Sequence, residues 1–294
     1  MTTSIGMAFS RREKALSHLV IIRTTMLELY SAHACWDWRK AGQEDSTGRV
    51  ASTTTNWREH SDAVLVEILG ICHSLNRFLT LPNATRARHR ITHQGRAEAE
   101  RTLDLGSKLY GCMLVRFGRL TDLCEVFKSE GLPPNEATRI RQWERIVLEN
   151  CDGLRMIKLY RTPQALRSFA RLFTVFLPPF YAPSYAEIAL RLGSLGVGIT
   201  FSVLTSLALT ALFETISQME DPFLGYTSLD GVDVETELSS SFGVQCMTLR
   251  THFYRDAPPF DENNMQTSIC ERLPVKSFTL ISNSKSKKKR QHAS

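Results

Sequence analysis

An uncharged stretch of 22 residues, from Leu192 to Phe213, most constrains what this chain can fold into. As an α-helix with a rise of about 1.5 Å per residue it is roughly 33 Å long, enough to cross a hydrocarbon core of about 30 Å. A shorter uncharged run that contains three prolines, Leu172 to Ala186, precedes it, and only Glu187 and Arg191 carry charge between the two runs. The layout predicts a helical hairpin that enters a membrane, turns near residues 187–193 and leaves on the same side.

Small and polar residues within the longer run leave a second interpretation open. The run contains Gly193, Gly196 and Gly198 as well as several serines and threonines, which dilute its apolar character. Closely packed helices in lipid use small residues at their contacts, so these residues fit a membrane span. They also fit a pair of core helices buried inside a soluble protein. The sequence therefore predicts a membrane hairpin or a buried helix pair, and we favour the hairpin.

The residues around the hairpin predict its orientation and its break points. Lys and Arg close to a span favour the cytoplasmic side, whereas acids contribute little to this rule. Cations cluster just before the hairpin, and a hairpin returns to the side from which it started, so we place both flanking regions in the cytosol. The cations assigned to the membrane entrance are Arg161, Arg167 and Arg171. The residues predicted to break the first apolar helix are Pro178, Pro179 and Pro183.

A four-residue motif, Glu220-Asp221-Pro222-Phe223, closes the hairpin. The residue before a proline avoids the helical region, so we expect the exit helix to end here. Two acids at the C-terminal end of a helix oppose its macrodipole, which favours cations at that end. A local rule broken in this way predicts that the acids have a partner elsewhere in the fold. We therefore assign the motif to locking the exit helix onto the cytosolic region.

The remaining pattern predicts an all-α fold. Before the hairpin we expect four amphipathic helices, at about residues 10–38, 56–82, 98–128 and 135–160, with capping patterns at Ser10 and Asn56. After it, the segment 233–254 is expected to include a helix, and residues 255–294 are expected to be largely disordered. The predicted domains are a cytosolic helical region (1–160), a membrane hairpin with its exit motif (161–225), and an acidic segment with a disordered basic tail (226–294).

The sequence contains no residue set that points to catalysis. It lacks Gly-x-Ser-x-Gly, a glycine-rich phosphate loop and His-Glu-x-x-His. His89 and His93 have the spacing of helical metal ligands but stand among arginines without a further ligand, which favours a solvated loop. The cluster from His33 to Trp38 is interpreted as packing at a helix end, with a pocket as the alternative. We predict no enzyme activity, no cofactor and no metal site. No nucleic-acid partner is expected either, because the cations do not gather on one face with aromatic neighbours.

The seven cysteines are odd in number, scattered, and contain no Cys-x-x-Cys pair. Several of them fall at apolar positions of the expected helices. This usage is typical of reduced core residues in a cytosolic protein.

Four segments can be compared with known families: Arg161-Thr162-Pro163-Gln164-Ala165-Leu166-Arg167, the proline-interrupted run LFTVFLPPFYAP, the second apolar helix and Glu220-Asp221-Pro222-Phe223. Together they resemble the bestrophin family of anion channels, in particular the bestrophin-like branch of algae, fungi and similar eukaryotes. The start of the chain, TSIGMAFSRREKAL, is similar to the segment of that branch that follows its first membrane spans. The resemblance covers most of residues 4–240, with its specific content in 161–225.

The resemblance implies a helical pentamer with membrane helices before and after a cytosolic helical region. In the family the permeation neck belongs to a membrane helix that precedes the cytosolic region, and this sequence does not contain that helix. We therefore expect an N-terminally incomplete chain that contributes to an anion (chloride-type) channel, with a non-conducting, membrane-anchored helical interaction protein as the alternative. The expected partners are the lipid bilayer, further copies of the chain in a homo-oligomer, and anions as the permeating species.

Calcium-binding members of the family carry a dense acidic run directly after the Pro-Phe dipeptide. In this sequence residues 224–229 intervene, and only spaced acids follow. Calcium takes about six to eight oxygen ligands in a compact loop. We therefore do not carry the calcium site over to this chain.

Overall fold

The computed structural model is all-helical, and the residues that it describes contain no β-strand. Those residues are 2–35, 55–82, 92–160, 164–219, 221–223, 231–255 and 258–260. The helices are α1 (Thr2–Cys35), α2 (Trp57–Thr80), α3 (His93–Ser129), α4 (Pro134–Leu159), α5 (Gln164–Phe180), α6 (Ala182–Arg191), α7 (Leu195–Met219) and α8 (Ser241–Phe253), with a π-helical turn at Thr236–Ser240. The predicted all-α class is confirmed.

The chain divides into two compact units. The hairpin unit consists of residues 1–23 and 147–237, and it holds the start of α1, the end of α4 and all of α5, α6 and α7. The core unit consists of residues 24–146 and 238–294, and it holds the rest of α1 and α4 together with α2, α3 and α8. The division does not follow the order of the chain, since the predicted region 1–160 contributes to both units.

Helix α2 is a core helix of the core unit and packs against α3. Asn56 caps it by accepting a hydrogen bond from the backbone N–H of Glu59, and the helix ends at Thr80, just before Pro82. The predicted bounds of this helix are therefore confirmed. Although α2 is apolar enough to cross a membrane, 72% of its most apolar window is buried inside the protein. Its fully buried side chains recur at helical spacing and include Val64, Leu65, Ile68, Ile71, Leu75 and Leu79.

Two other helices begin earlier than predicted. Helix α1 begins at Thr2, so Ser10 lies inside the helix and its capping pattern does not mark a start. Residues 2–9 contain no proline, and nothing in them halts a helix that continues backward from Ser10. Helix α3 begins at His93 because Thr92 caps it, accepting a hydrogen bond from the Gly95 N–H at 3.0 Å.

The predicted hairpin region forms three helices. Helix α5 continues through Pro178 and Pro179 to Phe180, and α6 begins with Pro183 in its first turn, where proline is tolerated. Helices α6 and α7 pack against each other, and α5 packs against α7. The turn lies at residues 192–194, where Gly193 adopts a φ of 61°. The predicted turn at 187–193 therefore began too early, because Glu187 and Arg191 pair within α6 at 2.6 Å.

The C-terminal part contains a helix where one was predicted. Thr236–Ser240 and α8 together fill most of the segment 233–254. Of the tail that we predicted to be disordered, 255–294, residues 256–257 and 261–294 lie outside the described residues, so this stays a prediction.

The described cysteines differ in one respect from the prediction. Cys72, Cys124, Cys151 and Cys246 are buried free thiols and Cys35 is an exposed one, as expected for reduced residues. Cys112, by contrast, is disulfide-bonded, so the expectation of reduced core cysteines is wrong at this position.

Candidate membrane interface

Helix α7 presents its apolar surface to its surroundings rather than to a core. Its segment Leu195–Ile216 is long and apolar enough to cross a membrane, yet only 6% of its most apolar window is buried within the protein. This is the opposite of α2, which passes the same test of length and composition but is mostly buried. Within this chain the run is therefore not a buried core helix, which was the alternative to a membrane span. Its exposed large side chains are Leu195, Ile199, Phe201, Val203, Leu204, Leu207 and Leu212.

Helix α5 and the turn after it add an aromatic surface. The Phe169 and Phe173 rings lie 4.6 Å apart between centroids. Monomeric soluble proteins rarely expose contiguous apolar patches of more than a few hundred Å², and larger ones mark sites of protein or membrane interaction. Other exposed large apolar side chains of this surface are Leu172, Val175, Phe176, Phe180 and Tyr181.

The threonines of α7 satisfy their own hydroxyl donors. Each of four of them donates from Oγ1 to the backbone carbonyl four residues earlier, at 2.8 Å. Transfer of an unpaired hydroxyl from water to an apolar medium is unfavourable in free energy, because the medium offers no hydrogen-bond partner. The local bond to the backbone carbonyl supplies that partner and offsets most of this penalty. The polar content that diluted the apolar run in the sequence is therefore compatible with lipid. The four residues are Thr200, Thr205, Thr210 and Thr215.

Gly198 allows α6 and α7 to approach closely. A Cβ atom at this position would lie 2.8 Å from the backbone oxygen of Tyr185 and 2.9 Å from the Cβ of Ala189. Neither atom is the end of a flexible side chain, so neither can move aside without shifting a helix. A small residue at such a contact is the packing device that membrane helices commonly use.

We expect Gly198→Ala to separate α6 from α7, whereas Gly196→Ala has little effect. At Gly196 the nearest atom to an added Cβ is the Ser194 Oγ at 3.7 Å, an ordinary contact. Overpacking of this kind destabilises by about 1–3 kcal/mol, which is measured as a lower urea midpoint of the detergent-solubilised protein. Equal midpoints for the two variants would contradict the close packing.

The exit motif is tied to the end of α4 by a buried ion pair. The Lys158 Nζ donates to the Asp221 Oδ2 at 2.9 Å, and both side chains are more than nine-tenths buried. The two residues are far apart in sequence, so this contact fixes the end of α7 beside the end of α4. An acid of the motif therefore has a cationic partner elsewhere in the fold, and this partner, Lys158, is a residue that the sequence analysis did not single out.

The rest of the exit motif is packed against the chain that follows it. Phe223 is a fully buried side chain, and its backbone N–H donates to the Asp221 Oδ1 at 3.4 Å. The Pro222 carbonyl accepts a hydrogen bond from the Val232 N–H at 2.7 Å. Glu220 lies outside the described residues. Asp221, Pro222 and Phe223 thus form a compact joint between α7 and the acidic segment.

The predicted entrance cations are only partly described. Arg171 is exposed on α5, among the apolar side chains of that helix. Arg161 and the side chain of Arg167 lie outside the described residues. The assignment of these three arginines to a membrane entrance stays a prediction.

A second cluster of interest lies in the core unit, where His33 and His60 face each other. The His33 Nδ1 and the His60 Nε2 are 3.1 Å apart, within hydrogen-bond distance, and His33 stacks on the Phe127 ring at 4.2 Å between centroids. Burial lowers the pKa of His33 to about 3, helped by the neighbouring His60, and burial lowers the pKa of His60 to about 4. Among the described residues the buried His33 Nε2 has no hydrogen-bond partner. The geometry is that of a packed pair of neutral imidazoles, and Trp36, Asp37 and Trp38 of the predicted cluster lie outside the described residues.

Comparisons of the chain with protein-family models, with curated proteins and with solved structures find no match.

Proposed function

We propose that this chain is an integral membrane protein that the segment 164–219 holds in a lipid bilayer. The observation that carries the proposal is the exposure of Leu195–Ile216, of which only 6% is buried although the segment is long and apolar enough to span a membrane. In water this surface would favour aggregation, whereas lipid chains solvate it. The close contact at Gly198 and the self-satisfied threonines of α7 fit the same environment.

As its specific activity we propose that the chain contributes to an anion-conducting oligomer of the bestrophin type. The support comes from the resemblance of residues 161–225, since the apolar hairpin and the exit motif are the parts of the sequence that carry it. The helical region that precedes the hairpin would lie on the cytosolic side, because the cations near the entrance favour that side. The permeating species would be chloride or a similar small anion.

The test is chloride efflux from vesicles that contain the purified full-length chain. Vesicles loaded with chloride are expected to release it faster with the protein than without it. A variant with charges in α7, Leu204→Arg with Leu207→Glu, is expected to lose the efflux because it inserts poorly. Efflux equal to that of empty vesicles from protein shown to be inserted would contradict the channel activity.

A second candidate is a membrane-anchored helical protein that does not conduct. It is favoured by the burial of α2, because α7 is then the one exposed helix among the described residues that passes the test for a span. A single hairpin per chain suffices for an anchor. The efflux measurement separates the two candidates, since an anchor without conduction gives an inserted protein and no chloride release.

A further inference from the structure

Helix α1 runs antiparallel to the end of α4 within the hairpin unit, and two contacts fix the alignment. Near the start of α1, the Arg11 guanidinium donates to the Tyr160 carbonyl at 2.7 Å and to the Ile157 carbonyl at 2.5 Å. Further along, the His18 Nδ1 lies 2.7 Å from the Asn150 Oδ1, and a Cβ at Gly153 would meet the same imidazole ring. Residue 11 thus lies beside residue 160, and residue 18 lies beside residue 153. The numbers rise by seven along α1 while they fall by seven along α4, as expected for antiparallel helices.

This alignment makes α1 extend beyond the end of α4. Helix α4 ends at Leu159, whereas α1 continues back from Arg11 to Thr2. Nine residues at about 1.5 Å per residue give an overhang of roughly 13 Å. Asp221, just after the end of α7, pairs with Lys158 on α4, and Arg11 binds the carbonyl of the neighbouring Ile157. The overhang of α1 therefore starts at the same level of the hairpin unit as the end of α7.

The composition of the overhang changes sharply at Arg11. Residues 2–10 carry no charge, and Arg11, Arg12 and Glu13 follow immediately. Arg11 places its charge at the C-terminal end of α4, where the helix dipole favours a cation. An uncharged helix end that exposes Phe9 and is bordered by arginines at its base fits a segment that lies at a membrane interface.

Exposed apolar side chains surround the base of the overhang. Phe9 on α1 is 50% exposed, and Tyr160 at the end of α4 is 64% exposed. Met156 and Leu159 on α4 are exposed as well. Tyrosine is enriched at the level of the lipid headgroups, where its ring lies in apolar surroundings and its hydroxyl stays hydrated.

We propose that the start of α1 around Phe9, residues 6–10, together with Met156, Leu159 and Tyr160, forms a lipid-contacting collar beside the membrane entrance. This inference rests on the proposed insertion of α7 and revises the prediction that all of residues 1–160 lie in the cytosol. The occupant is the interface of the bilayer that receives the hairpin, since the collar lies at the end of α4 from which the hairpin departs. The collar would fix the depth at which the hairpin lies in the membrane.

The test measures quenching of introduced tryptophans by spin-labelled lipids in vesicles that hold the full-length chain. The quencher is placed near the headgroup in one set of vesicles and near the end of the acyl chain in another. Phe9→Trp probes the collar, and Gly6→Trp probes it at a position with open space around an added Cβ. Leu207→Trp probes α7, and Val244→Trp probes an exposed apolar position of the core unit. The unsubstituted protein supplies the background of its own four tryptophans.

We expect the shallow quencher to remove most of the fluorescence added at positions 9 and 6, and the deep quencher to act most strongly at position 207. Position 244 should be unaffected by both. Quenching at 207 without quenching at 9 and 6 would overturn the collar while leaving the insertion of α7 standing. Emission at 9 and 6 that responds to protein concentration instead of to the quencher would mean that a second copy covers this surface, which also overturns the proposal. Absence of quenching at 207 would overturn the insertion and the collar together.

Discussion

Replacing Asp221 with asparagine is expected to lower the free energy of unfolding by about 3–5 kcal/mol, because the substitution breaks the buried ion pair with the Lys158 ammonium. Both partners are more than nine-tenths buried, so water does not compensate for the loss. The contact also joins the end of α7 to the end of α4, so the loss should loosen the joint between these two helices. The measurement is urea unfolding of the detergent-solubilised protein.

The matched control is Asp104→Asn, which breaks the Lys108–Asp104 pair. That pair has the same 2.9 Å distance but is partly exposed on α3. We expect a change below about 1 kcal/mol there. A double variant, Lys158→Met with Asp221→Leu, should recover much of the lost stability, because it removes both buried charges at once. Similar losses for Asp221→Asn and Asp104→Asn would contradict the role assigned to the buried pair.

The paired histidines are expected to make the core unit sensitive to mild acid. The ordinary pKa is 6.5, whereas burial holds the pKa of His33 at about 3 and that of His60 at about 4. Below pH 6.5 the unfolded chain therefore takes up protons that the folded chain does not accept. Stability is full above this pH and falls as the pH drops toward 4, by about 1.4 kcal/mol per pH unit for each histidine.

The measurement is the free energy of unfolding between pH 7 and pH 5, a range that avoids most carboxylate titration. His33→Phe with His60→Phe should flatten the profile, since phenylalanine keeps an aromatic ring beside Phe127 and Trp57 and does not titrate. The single variant His60→Phe should keep about half of the slope. A parent protein with no loss of stability over this range would show that the imidazoles are not buried as a neutral pair.

The parts of the fold that local chemistry decides could be predicted from the sequence. Helix α2 follows from its apolar periodicity, the Asn56 cap and Pro82, and α7 follows from a long run without charge. The departure from good helix chemistry at Asp221 predicted a partner for the acid. None of these inferences needs knowledge of which segments meet in space.

The parts that depend on long-range pairing could not be predicted in this way. Nothing local marks Lys158 as the partner of Asp221, because many basic residues precede the hairpin. The antiparallel alignment of α1 with α4 likewise depends on Arg11 and His18 finding groups far along the chain. The break between α5 and α6 falls after Phe180: α5 continues through Pro178 and Pro179, whereas Pro183 lies in the first turn of α6, where proline is tolerated.

The central claim, that α7 lies in a bilayer, is tested most directly by alkaline carbonate extraction of membranes from cells that express the chain. The proposed insertion predicts that the full-length protein stays in the membrane pellet. It also predicts that the variant Leu204→Arg with Leu207→Glu is released in greater part, because each central charge disfavours insertion by about 2.5–3.5 kcal/mol. Release of the unsubstituted protein into the supernatant would contradict the claim, and the exposed surface of α7 would then have to be covered by protein.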